Sequence, residues 1–268
     1  MNRVGRILGL AVALAAAHVA ACAFLPPDAL PAWLLGAHLS TKLLAAAGAG
    51  VAYATLQPGD YMRRFWGALG LSYLLLAISE DTVAALLGGG GPTAGLVLGA
   101  VALVAGNALS VLASATLAFT FRSAGLGDPM GARRGLAMGV TAAVAVALVL
   151  TNLLGDVRAA LAGGGPPAWA SAFSYACDAV SFALLVPVLR YTWRLRGSRL
   201  AVPWWVFAAS GTGWLFFSAI EKLPVDTRLA AEALRVLATL LSGAAGVLQR
   251  QLVVEARARA ERTRSAAA

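Results

Sequence analysis

The chain has 268 residues, of which 60% are hydrophobic and only 12% charged, with a formal net charge of +9. A water-soluble domain carries roughly 25% charged residues, so this composition excludes a soluble globular fold and makes lipid the solvent for most of the chain. The two cysteines, Cys22 and Cys177, lie in apolar runs and exclude a disulfide framework or a cysteine-rich zinc site.

Eight windows reach the roughly 20 apolar residues that a membrane-spanning helix needs. They are 7–25, 32–56, 65–87, 93–121, 135–154, 168–192, 201–221 and 229–249. The expectation is an all-α, polytopic transmembrane helical bundle of eight spans. Residues 1–249 form a single membrane domain, and 250–268 form a basic cytoplasmic helical tail. Pro26, Pro27, Pro31, Pro58, Pro92, Pro129, Pro166, Pro167, Pro203 and Pro224 all fall at window edges or between windows, where a missing N–H is tolerated. The runs "GGGGP" (88–92) and "GGGPP" (163–167) mark two further loops.

Arginine and lysine set the orientation. With a cytoplasmic N-terminus, sixteen of the 21 basic residues fall on the inner side, among them Arg63, Arg64, Arg133, Arg134, Arg196 and Arg199. Only Arg158, Lys222 and Arg228 fall outside, while Lys42 and Arg235 lie within spans. This alternation follows the positive-inside rule, so the net positive charge marks a cytoplasmic membrane face rather than a nucleic-acid surface. Both termini are then cytoplasmic. Heavy use of Ala, Gly, Leu and Arg suits a GC-rich bacterial genome, and hence a bacterial inner membrane.

Taken in order, the first span raises a processing question. "MNRVGRILGLAVALAAAHVAAC" has the basic start, apolar stretch and small-residue end of a signal peptide, and "VAAC" (19–22) resembles a lipoprotein cleavage site at Cys22. Cleavage of residues 1–21 would leave seven spans, although His18 interrupts the apolar run. The second span carries Lys42 ten residues past its outer start, about 15 Å deep, with His38 one turn earlier on the same face. Glu80 and Asp81 end the third span.

The fourth span places Asn107, Ser110 and Ser114 on one face, suited to interhelical hydrogen bonds. Gly95-x-x-x-Gly99 and Gly135-x-x-x-Gly139, on spans four and five, allow close helix approach or a homodimer. The sixth span holds Asp178, also ten residues past its outer start and so at matching depth with Lys42. Opposite charges at one depth are expected to pair, because a lone charge there is costly. Pro187, nine residues further, frees the carbonyl of Ala183 and suits a hinge. Glu221 and Lys222 end the seventh span, and Glu232 and Arg235 open the eighth, three apart and able to pair. "GLSYLLLAISE" (70–80) also aligns without gaps to "GTGWLFFSAIE" (211–221), a faint sign of four-plus-four duplication.

These features place a ligand- or ion-binding site on spans two and six: Lys42 and Asp178, supported by His38, Asn107 and Glu80. His18, His38, Glu80 and Asp178 form at most a weak metal set, since no His-x-x-x-His or Glu-x-x-His pair supports it, and neither metal nor cofactor is expected. There is no G-x-S-x-G, His-Glu-x-x-His or Walker glycine loop, so no catalytic residue is assigned. The leading expectation is an inner-membrane protein that binds or transports a small solute or ion. The first alternative is a sensor or assembly subunit acting on a partner through helix faces and the basic tail. The second is an intramembrane lipid-modifying enzyme. The bilayer is the sure partner, with a homodimer or a membrane protein beyond it.

Overall fold

The computed structural model describes residues 3–89, 91–123, 131–195, 197–223 and 225–267. Pro129, Pro224 and Arg196, used above to mark loops and orientation, lie outside them. The described chain is helical throughout: α1 (Arg3–Phe24), α2 (Leu30–Thr55), α3 (Tyr61–Ile78), α4 (Asp81–Leu87), α5 (Pro92–Phe121), α6 (Gly131–Ala159), α7 (Gly165–Arg194), α8 (Val202–Ile220) and α9 (Arg228–Ala267). Proline stands in the first turn of α2, α5, α7 and α8, where its missing N–H would find no helical partner anyway. Between α6 and α7 the chain turns through Gly163 (φ 95°) and Gly165 (φ 67°), conformations that favour glycine, so "GGGPP" is a corner.

Among the described residues, six stretches are long and apolar enough to cross a membrane: Arg3–Phe24, Leu30–Thr55, Thr93–Phe121, Gly135–Trp193, Arg199–Ile220 and Arg228–Ser265. The fourth of these contains both α6 and α7. The expected third span, 65–87, is not a single helix. It stops at Ile78, and the chain resumes as the short α4 after Ser79 and Glu80. α7 continues through Pro187 as one helix, and α9 continues past residue 249 without a break.

Packing follows a closed order in which α2 lies on α3, α3 on α5, α5 on α7, α7 on α8, α8 on α9, and α9 again on α2. α1 packs outside this ring on α9, α6 on α7 and α8, and α4 on α5. One end of the ring is filled by an apolar and aromatic core that includes Phe65, Trp66, Leu117, Phe121, Trp204 and Phe207. Phe65 packs edge-on against Phe207 at 5.2 Å, and Phe121 against Trp204 at 5.6 Å. The other end holds the polar residues described below.

Glycine placement matches the expected motifs only in part. Gly95 and Gly99 face α4, where a Cβ on Gly95 would sit 2.8 Å from the Ala85 backbone. Gly135 and Gly139 have nothing within 4 Å of a built Cβ. The closest helix crossing is between α2 and α9, where a Cβ on Gly246 would lie 2.2 Å from the Gly48 carbonyl oxygen. Among the glycine positions, this is where backbone meets backbone most closely, and it ties α9 to α2.

Candidate functional site

Lys42 sits on α2 with His38 one turn earlier, and both are buried. Because α3 stops at Ile78, its last carbonyls lack helical donors. Lys42 Nζ donates to one of them, Leu76 O, at 2.7 Å, and also to Glu80 Oε1. The lysine therefore caps the negative end of α3 and neutralises the carboxylate that follows it. Arg235, from the second turn of α9, donates to the same Glu80 Oε1 at 2.8 Å. The expected Lys42–Asp178 pair does not form; Lys42 and Arg235 share Glu80 instead. Matching depth misled because Glu80, assigned to a helix end near water, folds inward where α3 breaks.

Nor do Glu232 and Arg235 pair with each other. Glu232 Oε2 accepts from His38 Nε2 at 2.6 Å and from His18 Nε2 at 3.0 Å. Trp33 Nε1 donates to His18 Nδ1 at 3.2 Å, which assigns the His18 proton to Nε2 and makes the imidazole a donor to Glu232. His38 Nδ1 lies 4.0 Å from Glu80 Oε2. A line of polar groups thus runs from α1 through Glu232 and His38 and, across the 4.0 Å gap to Glu80, on to Lys42 and Arg235. His18, His38 and Glu232 bring one ligand atom each within 4.8 Å of one another, a grouping that, among the described residues, could hold a metal ion. Glu80 and Asp178, members of the weak metal set read from the sequence, are not in this group.

Asp178 lies across the ring on α7. Its Oδ2 accepts from Ser218 Oγ of α8 at 2.6 Å, and Asn152 Nδ2 of α6 donates to the Ser218 carbonyl at 2.6 Å. No ion pair joins Asp178 to a cation among the described residues. Nearby, Tyr175 OH donates to Glu221, and Lys222 binds both oxygens of Asp156 at 2.6 and 2.7 Å.

The two sides face one cavity of about 360 Å³. Lys42, Glu80 and Arg235 line it from α2, α3's end and α9; Asp178 and Glu221 line it from α7 and α8; Asn107 lines it from α5. Four of the five site residues read from sequence therefore share one cavity. His38 stands behind Glu80 and does not line it. The aligned segments of α3 and α8 meet here as well: Tyr73 with Trp214, Leu76 with Phe217, and Glu80 with Glu221 are matched positions, and all six line the cavity. Asn107 donates its amide to Leu103 O at 2.9 Å within its own helix.

Sequence reasoning did not name Ser218, Tyr175 and Trp214 as site residues; Tyr175 carried no mark, whereas Ser218 and Trp214 lie in the aligned segment 211–221, the signal that could have found them. It also missed Glu232 as the acceptor for both histidines, although two histidines and one carboxylate in the outer halves of three spans were visible. No protein-family model matches the chain, and neither the curated proteins nor the solved structures contain a match to it, so the reading of this site stands on its geometry.

Proposed function

We propose that this chain is an integral protein of a bacterial inner membrane that crosses it eight times and binds or transports a small solute bearing a positive charge. Helices α1, α3, α6 and α8 would run outward and α2, α5, α7 and α9 inward, with both termini cytoplasmic. The cavity then opens toward the outer face, and the aromatic core closes the inner half of the ring. The place of His18 in the polar chain supports retention of residues 1–21 as the first span.

The observation that carries the reading is the state of Asp178. Glu80 is held by two cations, Glu232 by two imidazoles and Asp156 by Lys222, while Asp178 has one serine hydroxyl and an open cavity before it. A carboxylate at that depth needs a cation or a proton. Trp214 and Tyr73 add aromatic rings to the wall, which attract cations through the ring quadrupole, while the Phe217 ring already faces the Arg235 guanidinium at 5.9 Å. Lys42 and Arg235 form the opposing wall, so the site excludes a second cation and accepts an anionic group on the far end of a zwitterion. Asn107 supplies an amide edge, and His38 stands behind Glu80 with its Nδ1 4.0 Å from Oε2.

The test is isothermal titration of the full chain in lipid nanodiscs with ethanolamine, choline and glycine betaine as probes. At least one binds, and Asp178→Asn removes that binding while the protein stays folded. Binding of none of the three, or binding indifferent to Asp178→Asn, refutes the reading.

A second reading, a sensor or docking subunit, is favoured by α9. This single helix runs from Glu232 and Arg235 in the polar chain to the basic residues at 257–264. Near residue 255 it is tied to the rest of the chain by Arg257 to Thr55 O (2.6 Å) and by Arg199 to Glu255 (3.7 Å). Deletion of 250–268 separates the two readings, because solute binding survives it and transmission to a partner does not.

A further inference from the structure

We propose that His18, His38 and Glu232 form a binding site for a divalent transition-metal ion of the zinc class, separate from the solute cavity and independent of its reading. Two imidazoles and one carboxylate, from three different helices, converge with both histidines buried. Tetrahedral zinc with bonds of about 2.0–2.2 Å to N and O places its ligand atoms roughly 3.3 Å apart. Here Glu232 Oε2 lies 3.0 Å from His18 Nε2 and 2.6 Å from His38 Nε2, so small side-chain movements open the space for an ion. A donor set of two nitrogens and one carboxylate oxygen suits zinc or another borderline metal and disfavours calcium and magnesium, which take oxygen ligands.

The surroundings also fit a metal. His38 turns its second nitrogen toward Glu80 Oε2 at 4.0 Å, as a ligating histidine turns toward an outer carboxylate that orients it. Three protein ligands leave the fourth position open, as in zinc sites that bind water or substrate. Cys22 Sγ stands 3.5 Å from His18 Nε2, one turn along α1. An ion here would tie α1 and α2 to the first turns of α9.

One contact opposes the ion, and it supplies a sharp test. The hydrogen bond from Trp33 to His18 Nδ1 holds the imidazole proton on Nε2, the atom that must bind metal. Metal binding moves that proton to Nδ1, where two N–H groups would then face each other, so Trp33 must turn away. Removing the Trp33 donor therefore favours the ion.

The experiment is a zinc titration of the chelator-stripped full chain in nanodiscs, with metal content measured after desalting. The expected result is about one zinc per chain. His18→Ala, His38→Ala and Glu232→Gln each weaken binding by at least about tenfold, whereas Glu255→Gln on the tail leaves it unchanged. Trp33→Phe tightens it about fivefold. The wild-type titration and the Trp33→Phe gain keep the test decisive if a ligand variant fails to fold. Zinc absent from the wild-type chain, zinc retained by Glu232→Gln, or no gain in Trp33→Phe overturns the proposal.

Discussion

Glu80→Gln is the substitution whose effect the site geometry fixes most firmly. The carboxylate accepts from Lys42 and Arg235 through one oxygen, and its own side chain is 14% exposed. Gln keeps the size and removes the charge, leaving Lys42 almost fully buried and Arg235 about a quarter exposed without a counter-ion. Breaking a buried pair from one side costs about 3–5 kcal/mol, and the partial exposure of Arg235 places this case near the lower figure, about 3 kcal/mol. For a chain of this size each kcal/mol moves Tm by about 2–4 °C, so a fall of roughly 6–12 °C is expected. Adding Lys42→Met to Glu80→Gln removes the stranded buried cation and recovers at least about half of that loss. Asp178→Asn behaves differently. It discharges a carboxylate that has no cation partner among the described residues and keeps an acceptor for Ser218, so stability changes by no more than about 1 kcal/mol, or roughly 2–4 °C in Tm. Thermal unfolding of the purified variants, followed by tryptophan fluorescence, reads all three. A Glu80→Gln protein as stable as wild type, beside an Asp178→Asn protein that loses several degrees, would refute the assignment of Glu80 as the partner of Lys42.

The α2–α9 crossing predicts that Gly246→Ala, whose Cβ would lie 2.2 Å from the Gly48 carbonyl, loses at least about 2 kcal/mol in the same assay. Gly139→Ala, with nothing within 4 Å, stays within about 0.5 kcal/mol of wild type. Lys222 is 44% exposed in its pair with Asp156, so Lys222→Ala costs less than about 1 kcal/mol and less still at high salt. Intact mass of the purified chain is expected to include residues 1–21, because α1 packs on α9 and His18 belongs to the polar chain. A chain beginning at Cys22 would contradict that.

The helical class and most helix positions were legible in hydropathy and proline spacing, because lipid demands long apolar helices and proline marks their first turns. The break of α3 at Ile78 was not. Hydropathy does not distinguish Leu86 and Leu87 in a second short helix from the same residues continuing the first. That break is what turned Glu80 inward and displaced Asp178 as the partner of Lys42. Site membership fared better than site pairing. Charge at helical depth was sufficient to select Lys42 and Asp178, since such residues seldom face lipid, whereas Glu80 was read as ending its span. Which carboxylate meets which cation depends on rotation of each helix about its axis, and apolar composition leaves that open. The Gly-x-x-x-Gly motifs illustrate the same gap. Spacing marked Gly95 and Gly99, which do approach α4 closely, and also Gly135 and Gly139, which face nothing among the described residues, while Gly48 and Gly246, where backbones meet most closely, went unmarked.

The most direct test of the solute-site account is the rate at which thiol reagents of opposite charge reach the cavity. Ser174→Cys, on the cavity wall one turn from Asp178, is placed in a chain whose Cys22 and Cys177 are replaced by alanine, and intact cells are treated with membrane-impermeant reagents. An outward-opening cavity with an uncompensated Asp178 predicts modification from outside, with the cationic reagent faster than the anionic one by about tenfold. No external modification, or faster reaction with the anionic reagent, would contradict the account.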